Sequence, residues 1–397
     1  MERRSRLRAC LALTGAFALA GCAGSATTSV SSSIPSTSPE PTASTLPRAA
    51  LQSMLDDRRE TYGAYGAVAA IEIGGERLLL TSGTADSHGT PLTDDARFRI
   101  ASNTKPIVAA LVLDAVARGK LTLDDTVAGY LPGLVRSEPP ITVRQVLDHT
   151  SGVFDEGNEG DTTTDIEKIA DPKLREEARD VAERYVAGER VIGSDRMIIA
   201  LAETHERYNL PGKGFHYSNP NYQIAAMVLT KATGQTLADA LATRIAKPLH
   251  LERTTVAPPD LSSPEMRGYQ ADADGALQDV TDDLVAFGNG GNGGIVSTAD
   301  ELLTVMHAIV AGGLLPPDLA TQMKTPSFGT YGLGLATYRF TCGTFYGHEG
   351  SVNGTRSVAV VRDDGQAGAV IALNANTASE PGLPTVAERM LCSNIPH

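Results

Sequence analysis

Three short stretches of the chain carry side chains capable of covalent chemistry. Ser102-Asn103-Thr104-Lys105 sets a hydroxyl three residues before an amine, and at a helix start that spacing puts both on one face. Tyr217-Ser218-Asn219 supplies a phenol and a carboxamide, and His348-Glu349-Gly350 an imidazole and a carboxylate. A serine hydroxyl is a poor nucleophile at neutral pH and needs a base within hydrogen-bond reach. Lys105 and Tyr217 are the two candidates. A tyrosine titrates near 10, and a neighbouring ammonium is expected to favour its phenolate. Other common engines are missing: the chain has no G-x-S-x-G elbow, no P-loop and no H-E-x-x-H. Its eight histidines do not cluster with acids or cysteines at metal-ligand spacing. No metal and no cofactor are therefore expected, and His205 and His216 read as surface or core residues.

Such groups must be positioned by a framework, and the patterning suggests one. Residues 66–81 read as a hairpin turning at Gly74-Gly75. A helix is predicted from Ser102 to Gly119, because Val108, Leu111, Val112 and Val116 recur at helical spacing and Gly119 is a C-cap signal. Pro106 falls in its first turn, where a missing N–H costs little. Helices are further predicted over 165–187, 196–208 and 221–232, with an exposed acidic loop over 155–165. Thr298-Ala299-Asp300-Glu301 reads as a capping box opening another helix. Strands are expected around Tyr346, 351–361 and 367–374, and a last helix over 385–391. The order predicts an α+β fold: an antiparallel sheet built from both chain ends and flanked by helices, with an all-helical lobe inserted between.

The three motifs, in this order, resemble the serine penicillin-recognising superfamily of class C β-lactamases, D,D-carboxypeptidases and related esterases. Further stretches carry the likeness: Phe98-Arg99-Ile100-Ala101, residues 119–124, Tyr130-Leu131-Pro132-Gly133, residues 141–147, His149-Thr150-Ser151-Gly152 and residues 331–335. The resemblance implies a β-lactamase/transpeptidase-like fold and an acyl-enzyme on Ser102, with Lys105 and Tyr217 sharing the proton shuttle. Asn219 would hydrogen-bond the substrate amide. His348 would steady the proton network and add positive potential. Gly350 completes the H-x-G motif, and the amides of Ser102 and Ser351 would form the oxyanion hole. His149 is assigned a loop-fixing role. The nearest likeness is to exported H-x-G D-alanyl-D-alanine carboxypeptidases, which implies a peptidoglycan stem peptide or small acyl substrate, and β-lactams as covalent ligands. Two positions depart from that pattern. Ala336 stands where a carboxylate-binding arginine is expected, with Arg339 shortly after. Glu349 stands where threonine is usual, and would repel an anion. Arg356 reads equally as a strand charge or a carboxylate binder. A serine esterase or amidase for neutral or cationic acyl groups, and a class C-like β-lactamase, are the alternatives.

The 397 residues are 42% apolar and 20% charged, with a net charge of −13. The apolar content excludes wholesale disorder, and the acidic balance excludes a nucleic-acid binder, which needs a basic face. Arg3, Arg4, Arg6 and Arg8 precede a short apolar stretch ending in Leu19-Ala20-Gly21-Cys22. This resembles the bacterial lipobox, with 1–21 removed and Cys22 acylated; an ordinary signal peptide is the alternative. Residues 22–48, rich in Ser, Thr, Ala and Pro, read as a flexible tether, and 49–397 as the hydrolase domain. An exported lipoprotein at the outer face of the cytoplasmic membrane is the expectation. In that compartment the two remaining cysteines, Cys342 and Cys392, are expected to pair.

Overall fold

The computed structural model describes residues 16–17, 46–155, 165–189, 191, 193–256, 265–272, 274–281, 290–375 and 382–395. Cys22 and most of the leader and tether lie outside them. The sheet is assembled from two distant parts of the chain. Strands β1 (Gly66–Ile73) and β2 (Glu76–Gly83) form the expected hairpin. Its two turn residues, Gly74 and Gly75, have φ of +61° and +84°, a conformation that suits glycine and matches the strand twist. Strands β3 (Ala336–Phe340), β4 (Gly343–Val352), β5 (Thr355–Arg362) and β6 (Ala367–Leu373) come from the other end. The order β4-β5-β6-β1-β2 is antiparallel throughout, and β3 pairs with the start of β4. On that same edge, Ala16 and Phe17 pair with His348 and Gly347.

Both sheet faces are covered, so β6 reads Ala-Gly-Ala-Val-Ile-Ala-Leu without alternation and is buried along its whole length. Its Ala369, Ile371 and Leu373 join one core with the terminal helices α1 (Arg48–Thr61) and α7 (Leu383–Cys392). Val370 and Ala372 face the larger core, shared with α2 (Thr104–Ala117), α5 (Pro220–Thr233) and α6 (Ala299–Val310). Cys342 and Cys392 are joined by a disulfide at the terminal-helix side. Burying α2 almost completely suits a helix that is apolar all round; it is the stem on which the S-x-x-K stands. Gly119, at φ +64°, closes it as predicted.

The inserted lobe has its own small core around Ile166, Val181, Met197 and Leu201. There the predicted helix boundaries shift. The long helix begins only at α3 (Pro172–Val186), because Asp171 caps the amides of Lys173 and Leu174 and Pro172 follows in the first turn. Helix α4 (Asp195–Ala202) stops six residues short of its predicted end at 208; the Thr204 hydroxyl donates to the Leu201 carbonyl at 2.7 Å, competing with the helical ladder. At α6 only half of the capping box forms. Thr298 Oγ1 accepts from the Glu301 amide, but the Glu301 carboxylate accepts instead from the Glu252 and Arg253 amides and Thr254 Oγ1.

Candidate active site

Ser102 does not sit inside the α-helix but in a 3₁₀ turn, Ala101–Asn103, immediately before it. Ala101 is held at φ +49°, a strained conformation for a residue with a Cβ. The turn is fastened to the sheet: Asn103 Nδ2 donates to Ser357 Oγ on β5 at 2.9 Å. Strand β4 lies against the same turn, and Gly350 makes that possible. A Cβ there would lie 2.3 Å from the Ile100 carbonyl oxygen, 2.6 Å from Ser357 Oγ and 2.8 Å from Asn103 Nδ2.

Three of the predicted groups converge on Lys105, whose side chain is fully buried. Its Nζ lies 2.8 Å from Ser102 Oγ, 2.8 Å from Asn219 Oδ1 and 2.9 Å from the Asn292 carbonyl oxygen. Tyr217 Oη donates to Ser102 Oγ at 3.2 Å, and the Tyr217 ring centroid is 4.9 Å from Lys105 Nζ. Tyr217 and Asn219 come from the loop that enters α5, which Pro220 starts. His348 is fully buried on β4, its ring 6.2 Å from that of Tyr217. Its contacts are Tyr331 Oη, 3.1 Å from Nε2, and the Glu349 carbonyl, 2.6 Å from Nδ1. Because a carbonyl only accepts, Nδ1 carries the hydrogen and Nε2 accepts from Tyr331.

Burial decides the protonation states. It brings Lys105 down from its ordinary 10.5 to about 7, against the opposing pull of Asp155. Tyr217 moves the other way from the phenolate expected of it. Burial pushes its phenol well up, and the Asp155 and Glu349 charges add to the effect, with the Ser102 hydrogen bond opposing. The lysine that was to favour a phenolate is itself only partly charged. Nor does His348 add positive potential: burial, reinforced by Lys105, lowers it to about 3, so the imidazole is neutral.

Two partners of this cluster gave no sequence signal. Asp155, expected at the edge of an exposed loop, is buried and accepts from Asn219 Nδ2 at 3.3–3.4 Å. Asp165, at the other end of that loop, is also buried, hydrogen-bonded to His205 and ion-paired to Lys168; 156–164 lie outside the described residues. Tyr331, read only as part of the family-like stretch 331–335 and given no role there, is the hydrogen-bond donor to His348. His149 fixes the loop: its Nδ1 accepts from the Ser218 amide and Asn221 Nδ2, both at 3.1 Å, and its ring stacks on Tyr217 at 4.3 Å. Glu349 Oε1 accepts from Tyr338 Oη at 3.4 Å. Ser351 pairs in register with Arg356, while Arg339 is exposed on β3 and paired with Thr344.

The Beta-lactamase family model matches residues 51–388. The chain belongs to the β-lactamase family. Among β-lactamase relatives, esterase EstB of Burkholderia gladioli is 31% identical over 331 residues, covering 73% of this chain and 78% of the esterase. The D-aminopeptidase of Brucella anthropi is 26% identical, covering 77% of this chain and 55% of the aminopeptidase, so the chain spans about half of that relative. The solved D-stereospecific amidohydrolase from Streptomyces sp. superposes with a TM-score of 0.70 at 31% identity, covering 87% of this chain and 99% of that one. The D-amino acid amidase from Ochrobactrum anthropi SV3, solved with L-phenylalanine amide, gives 0.71 at 26% identity over 86% and 96%. This family member is a serine hydrolase of the β-lactamase and penicillin-binding-protein fold.

Proposed function

We propose that the chain hydrolyses esters or amides of neutral or cationic acyl groups through an acyl-enzyme on Ser102. The observation that carries this reading is the approach of Lys105 Nζ and Tyr217 Oη to the same Ser102 oxygen, at 2.8 and 3.2 Å. As an ammonium, Lys105 donates to all three oxygens around it. Once it has lost a proton, its two remaining hydrogens belong on Asn219 Oδ1 and the Asn292 carbonyl, which can only accept. The lone pair then points at the Ser102 hydroxyl and serves as its base. Tyr217 keeps its proton until it gives it to the departing group, and it regains one from the Lys105 ammonium, so that the net proton leaving with that group is the one taken from Ser102. The amides of Ser102 and Ser351 are the proposed oxyanion donors, with Gly350 letting β4 approach the Ser102 turn. One such donor is typically worth about 3 kcal/mol of barrier.

The substrate class rests on charge. Glu349 and Asp155 act on Tyr217, and Ala336 offers no cation, so the flank of the site disfavours an anionic substrate end. The named activities of the esterase and amidase relatives agree with this choice. A second reading, the D-alanyl-D-alanine carboxypeptidase trimming stem peptides, draws on Arg356. It is Ser351's register partner, where a guanidinium could meet a terminal carboxylate.

Kinetics on p-nitrophenyl esters, a D-amino acid amide, a D-Ala-D-Ala peptide and nitrocefin separate these readings, with adducts on Ser102 located by mass spectrometry after penicillin and fluorophosphonate exposure. Ester or amide turnover lost in Ser102→Ala supports the first reading. Release of D-Ala with no ester turnover replaces it with the second, and nitrocefin turnover alone with a β-lactamase. We further infer export and acylation of Cys22, which tethers the enzyme to the outer face of the cytoplasmic membrane. Radiolabelled palmitate incorporated by the full chain but not by Cys22→Ala supports this, and equal labelling refutes it.

A further inference from the structure

Asp155 is a buried carboxylate one side chain removed from Lys105. Taking a charge out of water is costly unless something compensates it, so its surroundings have to account for it. Its oxygens accept from Asn219 Nδ2 at 3.3 and 3.4 Å, and its own amide donates to Tyr208 Oη at 3.4 Å. The other end of the Asn219 amide, Oδ1, faces Lys105 Nζ at 2.8 Å. An asparagine amide has one accepting and one donating end. A carboxylate on one side and an amine on the other leave it a single orientation.

We propose that Asp155 is a positioning residue for Lys105, fixing the Asn219 amide with its acceptor toward the amine and placing the compensating negative charge behind it. The role is not that of a catalytic residue, since Asp155 reaches the reacting atoms only through Asn219. The groups facing Lys105 divide clearly. Ser102 and the Asn292 carbonyl are neutral. The Tyr217 and Tyr222 rings lie 4.9 and 5.8 Å from Nζ, and burial keeps both phenols protonated. His149 and His348 are buried and neutral, and the Lys105 charge is among the causes that depress them. Asp155 is the charge that opposes desolvation of the amine. Without it Lys105 would surrender its proton at a lower pH, and Asn219 would lose the partner that fixes its orientation.

The inference rests on Ser102 and Lys105 being nucleophile and base, and the experiment keeps the two failures apart. The wild-type enzyme is first tested for a fluorophosphonate adduct on Ser102; its absence sinks the enzymatic reading itself. Given an adduct, inactivation rate and kcat/KM on a neutral ester are followed from pH 5 to 10 in wild type, Asp155→Asn and Asp155→Ser, each checked by thermal melting. Asp155→Asn keeps an acceptor for Asn219 but removes the charge. Its profile is expected to rise about one pH unit earlier than wild type, with the alkaline plateau within about threefold. Asp155→Ser is expected to show the same earlier rise with a lower plateau, and it carries the test if the asparagine variant does not fold. A folded variant that loses rate equally at every pH, with an unmoved midpoint, overturns the proposal.

Discussion

Gly350→Ala puts the relation between sheet and nucleophile under the most direct strain. The added methyl carbon would sit 2.3 Å from the Ile100 carbonyl oxygen, with Ser357 Oγ and Asn103 Nδ2 at 2.6 and 2.8 Å. Real Cβ atoms do not approach closer than 3.0 Å, so strand β4 must withdraw from the Ser102 turn by at least about 0.7 Å, and nearer 1 Å for ordinary contact. None of the three obstacles is the free end of a flexible chain. Ile100 O is backbone, Ser357 Oγ accepts from Asn103, and Asn103 is fully buried. The overpacking should cost about 1–3 kcal/mol of stability. The larger effect is on rate, because β4 carries both His348 and the Ser351 amide. A displacement of about 1 Å at a reacting centre costs on the order of a hundredfold, equivalent to about 2.7 kcal/mol of barrier. The assay is kcat/KM on a p-nitrophenyl ester beside urea unfolding of both proteins. A fall of about a hundredfold in kcat/KM, with the fold retained, is expected. Activity within threefold of wild type would mean that β4 contributes nothing whose position matters, and would refute the placement of the oxyanion site on it.

Four further outcomes follow from the same geometry. With Lys105 at about 7, kcat/KM on a neutral ester should climb through pH 7 and level off above it as the free amine forms. The folded chain then binds fewer protons than the unfolded one between about 7 and the ordinary 10.5, so this lysine's contribution to stability should also rise with pH across that window, checked by urea unfolding at pH 6 and 9. Tyr331→Phe removes the donor to a buried imidazole nitrogen and should cost about 1–3 kcal/mol in urea unfolding. Replacing Cys342 and Cys392 by serine opens a loop of sequence separation 50 and should lower unfolding free energy by up to roughly 4 kcal/mol, with 25 °C activity unchanged because the bond lies on the sheet face away from Ser102.

How much could be read from the chain depended on how local each signal was. The Gly74-Gly75 turn, the apolar run of β6 and the Gly119 stop are written in neighbouring residues, so the hairpin, the strand and the end of α2 were legible. The three motifs were legible as well, since each carries its spacing within three or four positions. Asp155 and Tyr331 were not. Asp155 sits before a polar, acidic stretch and looks solvated; only the fold turns it inward against Asn219. Tyr331, in the loop before β3, meets His348 on β4, a contact no local pattern encodes. The lobe boundaries slipped because Asp171-Pro172 is a stronger start than anything near Asp165, and because Thr204 spends its hydroxyl on the Leu201 carbonyl.

Protonation was the least legible property of all, and it shapes the chemistry most. A sequence names a lysine, a phenol and an imidazole, and the expectation from it is a charged lysine, a phenolate favoured by that charge and an imidazole adding positive potential. Enclosing all three in one crevice reverses each. The amine falls to about 7 and the imidazole to about 3, while the phenol rises, because a low-dielectric site penalises whichever form is charged. The reversal is useful only because the amine and the phenol shift in opposite directions. An amine that is free near neutrality beside a phenol that is still protonated gives one acceptor and one donor on the same serine oxygen, at 2.8 and 3.2 Å. Acylation needs a base at Ser102 and an acid at the departing group in a single passage. Burial of two chemically opposite side chains in one crevice supplies both.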